Sequence, residues 1–238
     1  MLLFFIRHGD PIYTPDSLTP QGELQSSALA KRLALYGLNR VFVSSAVRAQ
    51  QTAEPTCRLL GLTPEVLDWT TEHHCSANMM LRWEGKRSRW VWDIPHFIRR
   101  FNSPEIRALG RDWATAPEFA EFPFAREMER VDRETDAFLA GLGYEHDRAG
   151  CLYRAVRPNE DRVALFAHQG FGMVFLSSLL DIPYPLFSTH FDTGHSSMTV
   201  VWFKHTDEFA YPRVIQLSND SHLYRDGLPT FYQNKIRF

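Results

Sequence analysis

The sequence predicts an α/β protein: a three-layer α/β/α sandwich whose mostly parallel sheet is flanked by helices, with a helical or irregular cap inserted. Three short apolar runs, at residues 2–6, 41–43 and 163–167, read as strands buried on both faces. Each run passes through a loop into a helix-like segment, the order that gives parallel strands joined by right-handed crossovers. Each also leads to an arginine or a histidine, at its carboxyl end or in the first turn of the helix that follows. In open α/β sheets, ligands sit at the carboxyl ends of the strands.

The elements follow in order. Leu2-Leu3-Phe4-Phe5-Ile6 is too short, and too soon interrupted by Arg7, for a secretory h-region, so it reads as a central strand. After a loop at 9–18, Thr19-Pro20 is a helix start, with Leu24, Ala28, Leu29 and Leu33 as the apolar face and Gly37 as the stop. The run 41–43 leads through Ser44-Ser45 into a helix with Arg48 in its first turn, which Pro55 should kink or limit and Gly61 should close. Later come a strand at 163–167, the triplet His168-Gln169-Gly170, an apolar helix at 171–180, and strands at 197–203 and 213–217.

Residues 76–125 break this rhythm. They hold Trp83, Trp90, Trp92 and Trp113, and between residues 82 and 111 eight basic residues outnumber three acidic ones. The expectation is one domain over 1–238, with 76–125 folding over the crevice as a cap and a helix following at 126–140, where Met128, Val131 and Phe138 face inward. A satellite core with a solvated charged face is the plain alternative. If the cap meets the substrate, that substrate should carry an extra negative charge or an aromatic group, with Arg87 and Arg89 as contacts.

Composition narrows the class. In 238 residues, 44% hydrophobic content is enough for a sizeable core, and a formal charge of −2 provides no global field for nucleic acid or an anionic membrane. No segment nears the roughly 18 uninterrupted apolar residues of a membrane span. Cys57, Cys75 and Cys151 lie far apart and form no CxxC pair, which argues against disulfides and zinc and fits a cytoplasmic location.

Arg7, His8, Arg48 and His168 should converge on one sheet edge. Two guanidinium forks can hold several oxygens of a phosphoryl group. An imidazole beside them resists protonation, and its free lone pair is then a nucleophile. A second histidine can donate to an oxygen as charge develops.

"FFIRHGD", "DSLTPQGELQSSALAKRL", "VFVSSAVRAQQTAEP" and "VALFAHQGFGMVFLSSLL" resemble, in order, the successive motifs of the histidine phosphatase (phosphoglycerate mutase-like) superfamily. The resemblance covers about residues 1–72 and 160–203. It implies phosphorylation of His8 as nucleophile, phosphate binding by Arg7, Arg48 and His168, and Gln169 at the pocket rim. It also implies a carboxyl group that protonates the leaving oxygen, usually after the third strand. Glu72 is the first choice for this role and Glu84, in Trp83-Glu84-Gly85, the alternative.

The activity so implied is metal-free and cofactor-free hydrolysis of a small phosphomonoester through a phosphohistidine. Two alternatives stand beside it: a phosphoglycerate mutase-like phosphomutase, and a non-catalytic module that binds phospho-ligands. Pro11 and Thr14 stand where mutases commonly have substrate contacts, and Gln169 stands where glycine is common. His73-His74-Cys75 reads as a loop beside the pocket rather than a metal site. Asp192 to His195 read as a turn, and neither His190 nor His195 acquires a role. The sequence leaves the oligomeric state open, a homodimer being one option.

Overall fold

The computed structural model describes residues 1–230. Its eight-stranded sheet runs, by residue range, in the order Glu65–Val66, Arg40–Val43, Arg162–Ala167, Leu2–Arg7, Met198–His205, Ala210–Asn219, Leu152–Ala155 and Tyr144–Asp147. The first four are parallel. From Leu2–Arg7 outward, every further pair is antiparallel. The α/β class holds, and the parallel arrangement belongs to the half of the sheet that the apolar runs build.

Alternation along Leu2–Arg7 divides the core. Leu3 and Phe5 join a large cluster with Phe171, Phe175 and Val131, whereas Phe4 and Ile6 join a second with Leu29, Leu33, Val41 and Val43. Helices Pro20–Tyr36 and Val47–Leu60 cover the second face, and Phe124–Gly141 and Gln169–Leu180 the first. Each buried phenylalanine contributes about 1.5–3 kcal/mol by leaving water, which is why these all-apolar runs cannot stay at an edge.

The first helix starts as its sequence dictates. Thr19 accepts from the Gly22 amide, Pro20 occupies the first turn, and Gly37 takes a positive φ at the end. Its buried face differs by a position from the expected one: Leu24 is exposed and Gln25 is buried, because the Gln25 side chain accepts the Asp10 amide at 2.8 Å. Pro55 does not limit the second helix, which runs on to Leu60 and ends at a left-handed Gly61. Proline's fixed φ is itself helical, and the lost hydrogen bond and the crowding of the carbonyl of Gln51 are borne within a helix whose other face is buried.

The segment at 76–125 is richer than an irregular cap. Helix Glu72–Met79 enters it, and a short hairpin, Met80–Leu81 with Arg89–Trp90, follows. Helices Pro95–Phe101 and Pro104–Ala108 then lead to the long helix that starts at Phe124. Phe97, Phe101, Trp113 and Phe119 are buried in the same cluster as Phe5 and Phe171. In the long helix, Val131 is buried while Met128 and Phe138 pack partly buried against that cluster.

Candidate active site

The carboxyl ends of the parallel strands, the first turns of the following helices and the cap surround a cavity of about 580 Å³. Arg7, Glu72 and Gln169 line its inner part, and Tyr13, Trp90, Trp92, Asp93 and the stretch 188–192 line the remainder. Arg7 ends the first strand, His8 follows it, and the His8 amide donates to the Ala167 carbonyl at 2.9 Å. It continues the parallel pairing of Leu2–Arg7 with Arg162–Ala167, which sets His8 and His168 at neighbouring strand ends.

His8 and His168 are almost wholly buried, their ring centroids 5.2 Å apart. His8 Nδ1 lies 2.7 Å from the Gly9 carbonyl, which can only accept, so Nδ1 carries the proton and the lone pair sits on Nε2. Burial, followed by the charge of Arg7, holds the His8 pKa well below the ordinary imidazole value. Burial, then Arg48 and Arg7, does the same to His168.

Arg48 organises the inner wall. Its Nη2 lies 3.0 Å from His168 Nδ1 and 3.3 Å from Glu72 Oε2, and its Nη1 donates to Asp16 Oδ1 at 2.8 Å. A guanidinium only donates, so His168 Nδ1 accepts and its Nε2–H points to Ser44 Oγ, 2.8 Å away. Both nitrogens of His168 are therefore engaged in this arrangement. Asp16 also accepts the Val47 amide at 2.7 Å, fixing the hairpin Pro11–Tyr13 with Asp16–Leu18 onto the helix start that carries Arg48.

The two glutamates part company. Glu72 opens its helix, accepts the Gly170 amide at 2.8 Å through Oε1, and lines the cavity with Arg7. Glu84 is exposed, lies 3.4 Å from Lys86, and belongs to a neighbouring cleft of about 410 Å³ with Trp83 and His96. The ligand atoms of His8, Glu72 and His168 lie within 4.8 Å of one another, a spacing that could hold a metal ion. Two arginines against this cluster put positive charge where a cation would sit, so the donor set suits an oxyanion better.

His195 is the residue that sequence reasoning passed over. Its ring centroid lies 5.6 Å from that of His8, and its Nε2 is 2.9 Å from Arg7 Nη2. Its Nδ1 is 3.3 Å from Asp10 Oδ1. Burial first, then Arg7, lowers its pKa to about 3. Neutral His195 thus accepts from Arg7, and the Thr193 carbonyl accepts from the other Arg7 nitrogen at 2.5 Å. The signal was available in principle: residues 192–197 immediately precede an apolar run, and a strand antiparallel to Leu2–Arg7 starts at its carboxyl end.

Gln169 is at the rim as expected, its amide bonded to the Asp192 carboxylate. His73, His74 and Cys75 lie on a helix rather than in a loop; His74 faces Asp68 at 3.4 Å, and Cys75 is buried, with its thiol pushed well up in pKa by that burial. The cap contributes Trp90 and Trp92, stacked at 4.6 Å and 10°, together with Asp93. Arg87 and Arg89 line the neighbouring clefts instead. The aromatic half of the substrate expectation therefore keeps its support, whereas none of the cap's arginines lines this cavity among the described residues.

Residues 3–138 match the model of the histidine phosphatase superfamily (branch 1). Among solved structures, a phosphoserine phosphatase variant from Entamoeba histolytica with phosphoserine aligns at TM-score 0.58 and 14% identity, over 93% of this chain and 98% of that one. A mycobacterial glucosyl-3-phosphoglycerate phosphatase with VO3 aligns at 0.57 and 18%, over 90% and 97%. At such identities the likeness is one of fold. A curated Mycobacterium tuberculosis relative, a PE-PGRS family protein, is 35% identical over 85 residues, which are 31% of this chain and only 15% of that relative's length.

Proposed function

The chain belongs to the histidine phosphatase superfamily, an enzyme of the phosphatase class, and from that premise we propose that it hydrolyses a small phosphomonoester through a phosphohistidine at His8. The observation that carries this reading is the tautomer of His8. Nδ1–H is held by the Gly9 carbonyl, and the opposite nitrogen is left as a lone pair beside Arg7 and Arg48.

In the proposed first step Nε2 of His8 attacks phosphorus while the bond to the ester oxygen breaks. Arg7 and Arg48 neutralise the phosphoryl oxygens. Glu72, in its protonated form, gives its proton to the departing alkoxide. An arriving phosphoryl oxygen takes the Arg48 Nη2 bond from His168, whose proton then moves to Nδ1 while the Ser44 hydroxyl turns to donate to Nε2. His168 can thereby donate to the phosphoryl group. In the second step water attacks the phosphohistidine, Glu72 takes its proton, and inorganic phosphate leaves.

The test is label transfer from a phosphomonoester carrying radioactive phosphorus to the protein under rapid acid-free quench. The expected adduct is stable to base, labile to acid and absent in His8→Ala. Full turnover in His8→Ala would reject the reading.

A further inference from the structure

The cavity wall carries both signs of charge, with Arg7 deep in it and carboxylates at its exposed rim. At the inner end Arg7 is 2% exposed and its Nε has no hydrogen-bond partner, a buried donor that calls for an anion. At the outer end stand two carboxylates, Asp93 and Asp192. Asp192 is already engaged, since the Gln169 side chain and the Thr193 amide both donate to it. Asp93 is different. It is exposed and, among the described residues, makes no hydrogen bond or close ion pair, although the charge of Arg89 acts on it from the adjoining cleft that both line. Desolvation by the cavity wall, then the charge of Asp192, raises its pKa above the usual carboxylate value, with Arg89 pulling the other way.

Two carboxylates on one cavity wall, close enough for Asp192 to raise the pKa of Asp93, favour a cation between or beside them. The adjoining wall favours the same guest, because the stacked indoles of Trp90 and Trp92 line this part of the cavity and aromatic faces attract ammonium groups. A leaving group with a carboxylate of its own would instead meet like charge at this rim.

We propose that the substrate's leaving group is cationic, so that the enzyme prefers phosphomonoesters of amino alcohols, and that Asp93 is a specificity-determining residue. This rests on the phosphatase reading above. Asp93 acts on the substrate's remote end and not on the reacting phosphorus, so its mark is selectivity between substrates rather than loss of turnover.

The experiment measures kcat/KM of the full chain at low ionic strength for ethanolamine phosphate, 3-phosphoglycerate and p-nitrophenyl phosphate. Ethanolamine phosphate should exceed 3-phosphoglycerate by about tenfold, the scale of one or two partly screened charge contacts. Asp93→Asn should lower the ratio of ethanolamine phosphate to p-nitrophenyl phosphate about 3- to 10-fold, and Asp93→Lys should reverse the order of the two charged substrates. Turnover of p-nitrophenyl phosphate with equal or better use of 3-phosphoglycerate would overturn the proposal and leave the phosphatase reading standing. Hydrolysis of none of the three would overturn that reading, and this inference with it.

Discussion

The imidazole rings of His8 and His168 stand 5.2 Å apart and are inclined at 59°. Both rings are buried and feel the charge of Arg7 and Arg48, while Glu72, within 4.8 Å of both, is held by Arg48 and the Gly170 amide. Both pKa values are therefore depressed, and the sign follows: the unfolded chain binds protons near pH 6.5, while the folded rings do so only well below that. Folding stability contributed by their neutrality is present above about pH 6.5 and is lost as pH falls toward the folded values.

For catalysis, the same depression keeps the His8 lone pair available in mild acid. Nuclear magnetic resonance of the ring carbons should find the His8 signal flat from pH 7.5 to 5.5. A titration midpoint near 6.5 would mean that the arginines and burial do not control this nucleophile.

Gly170 tests how closely the cap sits on the site. A Cβ there would fall 2.1 Å from Cη2 of Trp90, a rigid ring end that cannot bend aside. Gly170→Ala should cost about 1–3 kcal/mol, or roughly 2–10 °C in Tm for a chain of this size, and should raise KM because Trp90 lines the cavity. Gly141→Ala is the control: it has open space and no positive φ, so it should be neutral or slightly stabilising. Equal Tm values for the two variants would show that Trp90 moves freely.

Much of the parallel half of the sheet could be read from residues, because strands such as Leu2–Arg7 and Arg162–Ala167 are buried on both faces and so are apolar without interruption. Arg7, His8, Arg48 and His168 were legible for the same reason, each sitting just past such a run. Tyr144–Asp147 was not: its sequence, Tyr-Glu-His-Asp, lies at the sheet edge and is polar because only one residue faces the core. His195 was hidden by a different cause. Its place depends on bonds between distant segments, with the Ser196 amide donating to the His8 carbonyl at 3.0 Å and the Arg7 amide to the Ser197 carbonyl at 3.1 Å. No local pattern encodes such a pairing.

Arg48 holds three partners at once, Asp16, Glu72 and His168, and only a planar fork can do so. Arg48→Lys keeps the charge but loses that geometry. It should reduce kcat/KM by on the order of 10- to 100-fold, equivalent to about 1.4–2.7 kcal/mol, with an unchanged circular dichroism spectrum. Asp16→Asn should give a smaller loss in the same direction, since it loosens the Nη1 contact and the helix start together. Wild-type kinetics in the lysine variant would mean that charge alone suffices.

The two candidate proton donors can be separated by leaving group. A poor leaving group such as an alkoxide needs its proton in the transition state, whereas p-nitrophenolate departs without one, so loss of the general acid harms only the former severely. Glu72 meets the cavity beside Arg7 and is fixed by the Gly170 amide, while Glu84 sits exposed beside Lys86 in another cleft. Glu72→Gln should therefore lower kcat on an alkyl phosphate by about 10²- to 10⁴-fold and affect p-nitrophenyl phosphate far less. Glu84→Gln should stay within about twofold on both, as surface substitutions away from a site usually do. The opposite pattern, with Glu84→Gln the inactive variant on alkyl esters, would move the acid to the cap and require the hairpin that carries it to fold inward over the cavity.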